Sequence, residues 1–193
     1  IFIGFALLSW LVSASLERKF KRYSKEALPL TGREVAERML RENGSDDVSV
    51  TCTKGHLTDH YDPTTKTVNL SESVYNSANI AAAAVAAHEC GHALQHATAY
   101  APLRMRSALV PVVSFASNWV MWILLIGMLV INTFPHLMLF GIILFAMTTL
   151  FSFITLPVEV NASQRAVAWL RNTGITDNHT TEMASDALHS AAY

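Results

Sequence analysis

SALVPVVSFASNWVMWILLIGMLVINTFPHLMLFGIILFAMTTLFSFITLPV, from Ser107 to Val158, contains no Asp, Glu, Lys or Arg. A run of that length is too long for one buried core helix and sufficient for two membrane crossings at about 20 residues each. Val112–Ile131 and Leu137–Leu156 read as the two membrane helices, Asn132-Thr133-Phe134-Pro135-His136 as the hairpin between them, and Pro157 as the exit. Working outward, Ile1–Leu16 is a shorter apolar stretch followed at once by Arg18, Lys19, Lys21, Arg22 and Lys25. Basic residues directly after a span mark the cytoplasmic side, and all 14 Lys and Arg lie outside the hairpin loop. That asymmetry predicts a multi-pass protein of the cell membrane with its main body in the cytosol. A signal peptide is the competing reading of Ile1–Leu16, but no basic segment precedes the apolar run and no small-x-small cleavage site follows it.

The rest of the composition agrees. Of 193 residues, 51% are hydrophobic and only 15% charged, against about 25% charged in an ordinary soluble domain. Disorder is excluded, and a net charge of −1 offers no basic footprint for nucleic acid. Cys52 and Cys90 cannot build a disulfide framework and fit a reducing compartment.

Thr31 with Glu34 three residues on reads as a capping box opening a helix to about Glu42, which Asn43-Gly44 ends. Val48–Thr53 and Lys66–Leu70 read as short strands. Ser77–Thr98 is a long helix whose apolar residues are mostly alanine, so other helices can approach it closely. After Pro157 a polar helix is expected over Val158–Asn172, and a last one from Asp177 to Tyr193. The expected plan is a membrane helix (1–16), a catalytic segment (17–106), a membrane hairpin (107–157) and a C-terminal helical segment (158–193). The fold class is a mainly α membrane protein with a small β element, its cytosolic domain zincin-like, with about three membrane helices.

The chemistry is concentrated in Ala86-Ala87-His88-Glu89-Cys90-Gly91-His92, an H-E-x-x-H motif on the alanine-rich helix. Four-residue spacing puts His88 and His92 on one face, one turn apart, where both imidazoles can reach one Zn²⁺ at about 2.0–2.1 Å. Glu89 then stands beside the ion, placed to take a proton from the attacking water and to deliver it to the leaving amine. The bland alternative is a coincidental pair of surface histidines, but an apolar helix would bury such groups without a reason. Cys90 reads as a small buried thiol.

A catalytic zinc needs a third protein ligand and an open position. The long metzincin pattern is excluded, because its Gly and His positions hold Gln95 and Thr98. Among the downstream acids Glu159 is the best candidate: two crossings between His92 and Glu159 return the chain to the same side. Its competing role is an interfacial carboxylate paired with Arg165 or Arg104, and His179 and His189 are fallback ligands. His96 continues the four-residue spacing, but three successive turns of a straight helix diverge too far to share one ion, which leaves it an outer or capping role. His60, Tyr61, Tyr75, Tyr100, Asn161 and Arg165 are candidate donors to an oxyanion, and the sequence does not choose among them. Thr67, Val68, Asn69 and Leu70 read either as the sheet edge that pairs with an extended substrate or as a plain ribbon partner.

Leu57-Thr58-Asp59-His60-Tyr61-Asp62-Pro63, Val85–His96, Tyr100-Ala101-Pro102-Leu103, Arg106–Pro111 and Leu156–Ser163 together resemble the YugP-type bacterial membrane zinc metallopeptidases. The resemblance covers nearly the whole chain. It implies one zinc per chain in a gluzincin-like site, with His88 and His92 as ligands, Glu159 as the third ligand and Glu89 as the catalytic base. The chain is distantly similar to the HtpX and CAAX-prenyl endopeptidases, which carry an Asp four residues after the ligand Glu. Here that position is Ser163, so the Asp does not carry over. Such proteins continue into a further C-terminal membrane helix, so both ends of this sequence read as truncated.

The expected function is zinc-dependent endopeptidase action on polypeptides, membrane proteins foremost, at the cytoplasmic face, by metal-activated water. Two other readings were open at this level. One is an intramembrane-cleaving protease with Ile80–Ala97 in lipid, for which an L-D-G-type partner motif is missing. The other is a non-catalytic membrane scaffold or chaperone partner, which would have no need of Glu89 as a base.

Overall fold

The structure, a computed structural model, describes residues 2–55 and 58–192, without the side chains of 2–9 and 191–192. Ile1, Leu57 and Tyr193, each part of a reading above, lie outside it. In chain order the described elements are α1 (Phe2–Tyr23), α2 (Gly32–Glu42), β1 (Ser49–Thr53), β2 (His60–Asp62), β3 (Thr67–Ser71), α3 (Glu72–Tyr75), α4 (Ile80–Ala97), α5 (Ala101–Leu129), α6 (Pro135–Asn172) and α7 (Asn178–Ala192). They fall into two compact units, one of residues 99–158, the other of residues up to Thr98 with those from Glu159 onward.

In the second of these the local signals are realised. Thr31 Oγ1 accepts from the Glu34 amide at 3.3 Å while Glu34 Oε2 accepts from the Thr31 amide at 2.8 Å, so two orphan donors are satisfied reciprocally. Gly44, in the left-handed region at φ 69°, follows the C-cap Asn43. Asn79 caps α4 by accepting from the Ala82 amide at 2.8 Å. The buried face of α2 (Val35, Ala36, Met39, Leu40) packs against α4, together with Leu170 of α6 and Met183, Ala184, Ala187 and Leu188 of α7. Alanine keeps helix propensity high while leaving room for these neighbours. Larger side chains from the neighbours, among them Met39, Leu70 and Leu170, fill the gaps and are fully buried, each worth about 1.5–3 kcal/mol relative to exposure. Trp169 Nε1 donates to Glu42 at 2.8 Å, and Lys19 pairs with Asp186 at 2.7 Å, tying α2 to α6 and α1 to α7.

The sheet order is β1-β3-β2. β2 and β3 form an antiparallel hairpin and β1 joins β3 in parallel, with Cys52 opposite Leu70 and Tyr61 opposite Val68. Thr67–Leu70 is therefore the central strand, occupied on both sides, and cannot be the edge that takes a substrate. The hairpin is the reason. Asp62 accepts from the Thr64 amide at 2.8 Å and from Thr65 Oγ1 at 2.9 Å, which closes the turn and lays His60–Asp62 along one side of β3.

The unit of residues 99–158 holds α5 and the first part of α6. Both helices are long and apolar enough to cross a membrane. Trp122, Leu129 and Phe153 are 60%, 76% and 70% exposed, on faces far larger and more apolar than a soluble protein leaves open. Close approach is built in at Gly127, where an added Cβ would stand 2.9 Å from Met138 Cα.

Two corrections follow. Two helices, not about three, satisfy the spanning criterion among the described residues. α1 runs on through its basic residues to Tyr23, which is buried. Nor does Pro157 end a helix: α6 continues through it to Asn172. A proline deletes one backbone hydrogen bond, and the long helical runs on either side outlast that loss.

Candidate metal centre

α4 presents His88 and His92 one turn apart, their rings 4.7 Å between centroids and nearly perpendicular. α6 brings Glu159 against both. Glu159 Oε2 lies 3.2 Å from His88 Nε2 and 3.4 Å from His92 Nε2, and the ligand atoms of the three residues all lie within 4.8 Å of one another. Two tetrahedral ligands at zinc bond lengths stand about 3.3 Å apart, so the donor set and the separations fit one zinc ion. The chemistry of the cluster points the same way: a carboxylate oxygen facing two ring nitrogens needs a proton or a metal ion between them.

The approach of the two helices rests on Gly91, between the ligating positions. A Cβ there would stand 2.6 Å from the carbonyl oxygen of Ala162. Glycine is thus required by the neighbouring backbone and not by a turn.

Both ring nitrogens turned away from Glu159 are engaged. Ser163 Oγ lies 3.1 Å from His88 Nδ1, and Gln95 Oε1 lies 3.0 Å from His92 Nδ1. Partners on the far nitrogen fix ring orientation and leave the other nitrogen for the ion. Ser163, four residues after Glu159, thus touches one of the two histidines. Gln95 entered the sequence reading only as a mismatch to the metzincin pattern. Its i+3 spacing from His92 was the signal available.

Glu89 is half-buried, and burial pushes its carboxyl above the usual carboxylate range, with His88 and His92 pulling it back and Asp59 adding to the rise. Asp59 is itself fixed by Ser71, whose amide donates to it at 2.7 Å. For His92, burial lowers the pKa, but the hydrogen bond to Glu159 and the charge of Glu89 outweigh it and leave the net shift upward. The Cys90 thiol is fully buried, is pushed far up by desolvation and donates weakly to Ala36 O at 3.6 Å.

The remaining candidates are dispersed. His96 stands outside the ligand cluster, its Nδ1 3.0 Å from the Tyr61 hydroxyl. His60 lies exposed on β2, its ring bonded to Thr58 O at 2.8 Å and facing Asn69 at 3.3 Å. Tyr75, in α3, lies under the Arg33 guanidinium at 5.6 Å. Asn161 and Arg165 sit behind His92: Gln95 Nε2 donates to Asn161 Oδ1 at 3.0 Å and Arg165 Nε donates to the same oxygen at 2.9 Å. Tyr100 belongs to the other unit, as the N-cap of α5. Of the fallback ligands, neither His179 nor His189 is in the cluster.

The whole chain, residues 1–193, matches the family described as "Putative neutral zinc metallopeptidase". It is 43% identical over 187 residues, 96% of this chain and 82% of the relative, to the "Putative membrane protease YugP" of Bacillus subtilis (strain 168). No solved structure matches it.

Proposed function

This chain belongs to the "putative neutral zinc metallopeptidase" family, and from that premise we propose that it is a membrane-bound endopeptidase. In this reading it hydrolyses polypeptides at the cytoplasmic face. His88, His92 and Glu159 would hold one zinc ion and Glu89 would act as the general base. The observation that carries the reading is the convergence of two Nε2 atoms and one carboxylate oxygen, with each Nδ1 bonded elsewhere. When bound, zinc supplies Lewis acidity, which lowers the pKa of a water to about 7 and polarises the scissile carbonyl.

The chain's own residues do the rest. Glu89, outside the ligand cluster but on the same helix, takes the proton of the attacking water. It then returns that proton to the amine that leaves, so that one carboxyl serves as base and then acid. A carboxyl raised by burial holds a proton more readily than an exposed one, which suits the half of that cycle in which Glu89 takes it up. β2, an edge strand packed against α4, offers the backbone groups to which an extended substrate can add. The two apolar helices favour substrates held at the same bilayer. α4 is enclosed by α2, α3, α7 and the sheet, which favours this reading over cleavage within lipid.

The test uses the full chain reconstituted in liposomes and a membrane-anchored polypeptide with an unfolded tail. Cleavage is expected, is expected to stop when a chelator removes the metal, and is expected to return with zinc. Cleavage that survives metal removal contradicts the metallopeptidase reading. Equal cleavage of a free soluble tail contradicts the membrane-substrate part of it.

A further inference from the structure

Which main-chain groups of β2 face outward follows from how the three strands bond. The Ser49 amide donates to Lys66 O at 3.1 Å, and Ser49 lies opposite Thr67 in the parallel pair. Val68 and Leu70 therefore turn their amides and carbonyls toward β1, while Thr67, Asn69 and Ser71 turn theirs toward β2. The Ser71 amide agrees, since it donates to Asp59, the residue before β2, at 2.7 Å. In the antiparallel pair His60 lies opposite Asn69 and Asp62 opposite Thr67, so both direct their main-chain groups at β3. Tyr61 lies opposite Val68 and directs its amide and carbonyl the other way, where no strand follows among the described residues. A substrate strand laid along β2 thus meets one N–H and one C=O, both from Tyr61, whichever way it runs.

The side chains alternate in the same register. Opposed residues share a face of the sheet, and Val68, opposite Tyr61, is fully buried in the core to which α4 belongs. The half-buried Tyr61 ring therefore lies on the α4 side. There its hydroxyl is 3.0 Å from His96 Nδ1, and the two rings are 5.8 Å apart between centroids. His96 stands one turn after His92 on the same face of α4, so the ring is anchored beside the face that carries the metal-facing histidines. The side chains of His60 and Asp62 point to the opposite face of the sheet, where His60 faces Asn69 at 3.3 Å.

We propose that Tyr61 is the specificity-determining residue of the substrate edge: its main chain holds one residue of an extended polypeptide, and its ring selects an aromatic or β-branched side chain at that residue. The proposal rests on the peptidase reading, with β2 as its substrate edge, and adds the class of sequence that is read there. The substrate residue paired with Tyr61 places its side chain on Tyr61's face, against the ring, and aromatic–aromatic and aromatic–β-branched neighbours are the favourable cross-strand pairs. Its two immediate neighbours point to the face of His60 and Asp62 and meet no apolar partner from β2. β2 is three residues long, so one substrate residue is selected and the two beside it are not.

The test is the cleavage profile of the full chain in liposomes, given a membrane-anchored polypeptide whose unfolded tail carries a randomised segment, with the cleaved bonds read by mass spectrometry. One position at a fixed distance from the cleaved bond is expected to favour aromatic and β-branched residues over Gly and Asp by about threefold to fivefold, the upper part of what one cross-strand pair supplies. The positions on either side of it are expected to be indifferent. Tyr61→Phe keeps the ring and is expected to keep the preference. The decisive variant is Tyr61→Lys, which is expected to move the preference at that same position to Asp and Glu, since opposite charges also pair across strands. Tyr61→Thr, a good strand former without a ring, repeats the comparison should Tyr61→Lys lower the melting temperature to the point of unfolding, and is expected to bring the aromatic preference below about twofold. A parent profile without such a position, or with equal selectivity at its neighbours, overturns the proposal, as does a preference left unchanged in the folded Lys or Thr variant. A parent that cleaves nothing, or cleaves without metal, removes this proposal and the metallopeptidase reading together, whereas metal-dependent cleavage with an indifferent Tyr61 removes this proposal alone.

Discussion

Glu89→Gln is expected to lose about 10²–10⁴-fold in turnover, the usual share of a general acid–base group, while still binding zinc. That loss corresponds to about 3–5 kcal/mol of barrier. The separation of effects follows from the geometry. The atoms that could hold a metal ion belong to His88, His92 and Glu159, and Glu89 is not among them. The amide has the shape of the carboxyl and fills the same half-buried space, but it cannot take up a proton. Burial and Asp59 raise the Glu89 carboxyl and the two imidazoles oppose them, so on the proposed function replacing it removes a proton carrier and not a support. Turnover and zinc content are to be measured on the same preparation. Undiminished turnover contradicts the base assignment, and loss of zinc contradicts the division of roles between Glu89 and the ligands.

Gly91→Ala is expected to weaken zinc binding by about 10- to 100-fold, comparable to loss of an outer-shell partner, and to lower the melting temperature. Two effects oppose each other. Alanine in a helix interior is favoured over glycine by about 1 kcal/mol. The added Cβ would lie 2.6 Å from Ala162 O and 3.1 Å from Ala162 Cα, and all of these atoms are backbone. No side chain can turn aside, so α4 and α6 must separate, and overpacking of this kind costs about 1–3 kcal/mol. Strain therefore wins. It acts within one turn of Glu159, and a shift of a few tenths of an ångström suffices to spoil the 3.2 and 3.4 Å approaches to the two histidines. Parental affinity in this variant would show that the helices do not need the glycine to meet.

What could be read from the sequence was what local spacing determines. His88 and His92 share a face because they are four apart on a helix. The capping box of Thr31 and Glu34 is a contact across three residues. Glu159 followed from counting crossings, and the structure sets its carboxylate against both histidines. What stayed hidden depends on pairings far apart in the chain. β2 is three residues beside a turn signal, and only its register with β3 makes it a strand. The central place of Thr67–Leu70 depends on β1 arriving from the other side. Ser163 becomes a partner of His88, and Asn161 of Gln95, only through the register between α4 and α6, which no periodicity within either helix encodes. The helical path through Pro157 was missed because a proline was given the weight of a stop, although it removes only one hydrogen bond.

The most direct test of the metal site is the zinc content of the detergent-purified full chain beside that of Glu159→Ala, before any substrate is known. The three-residue site predicts about one zinc per chain and a metal that is lost or much weakened in the variant. Folded, zinc-supplemented protein without metal would contradict the site outright, and zinc retained undiminished in Glu159→Ala would contradict the place of Glu159 in it.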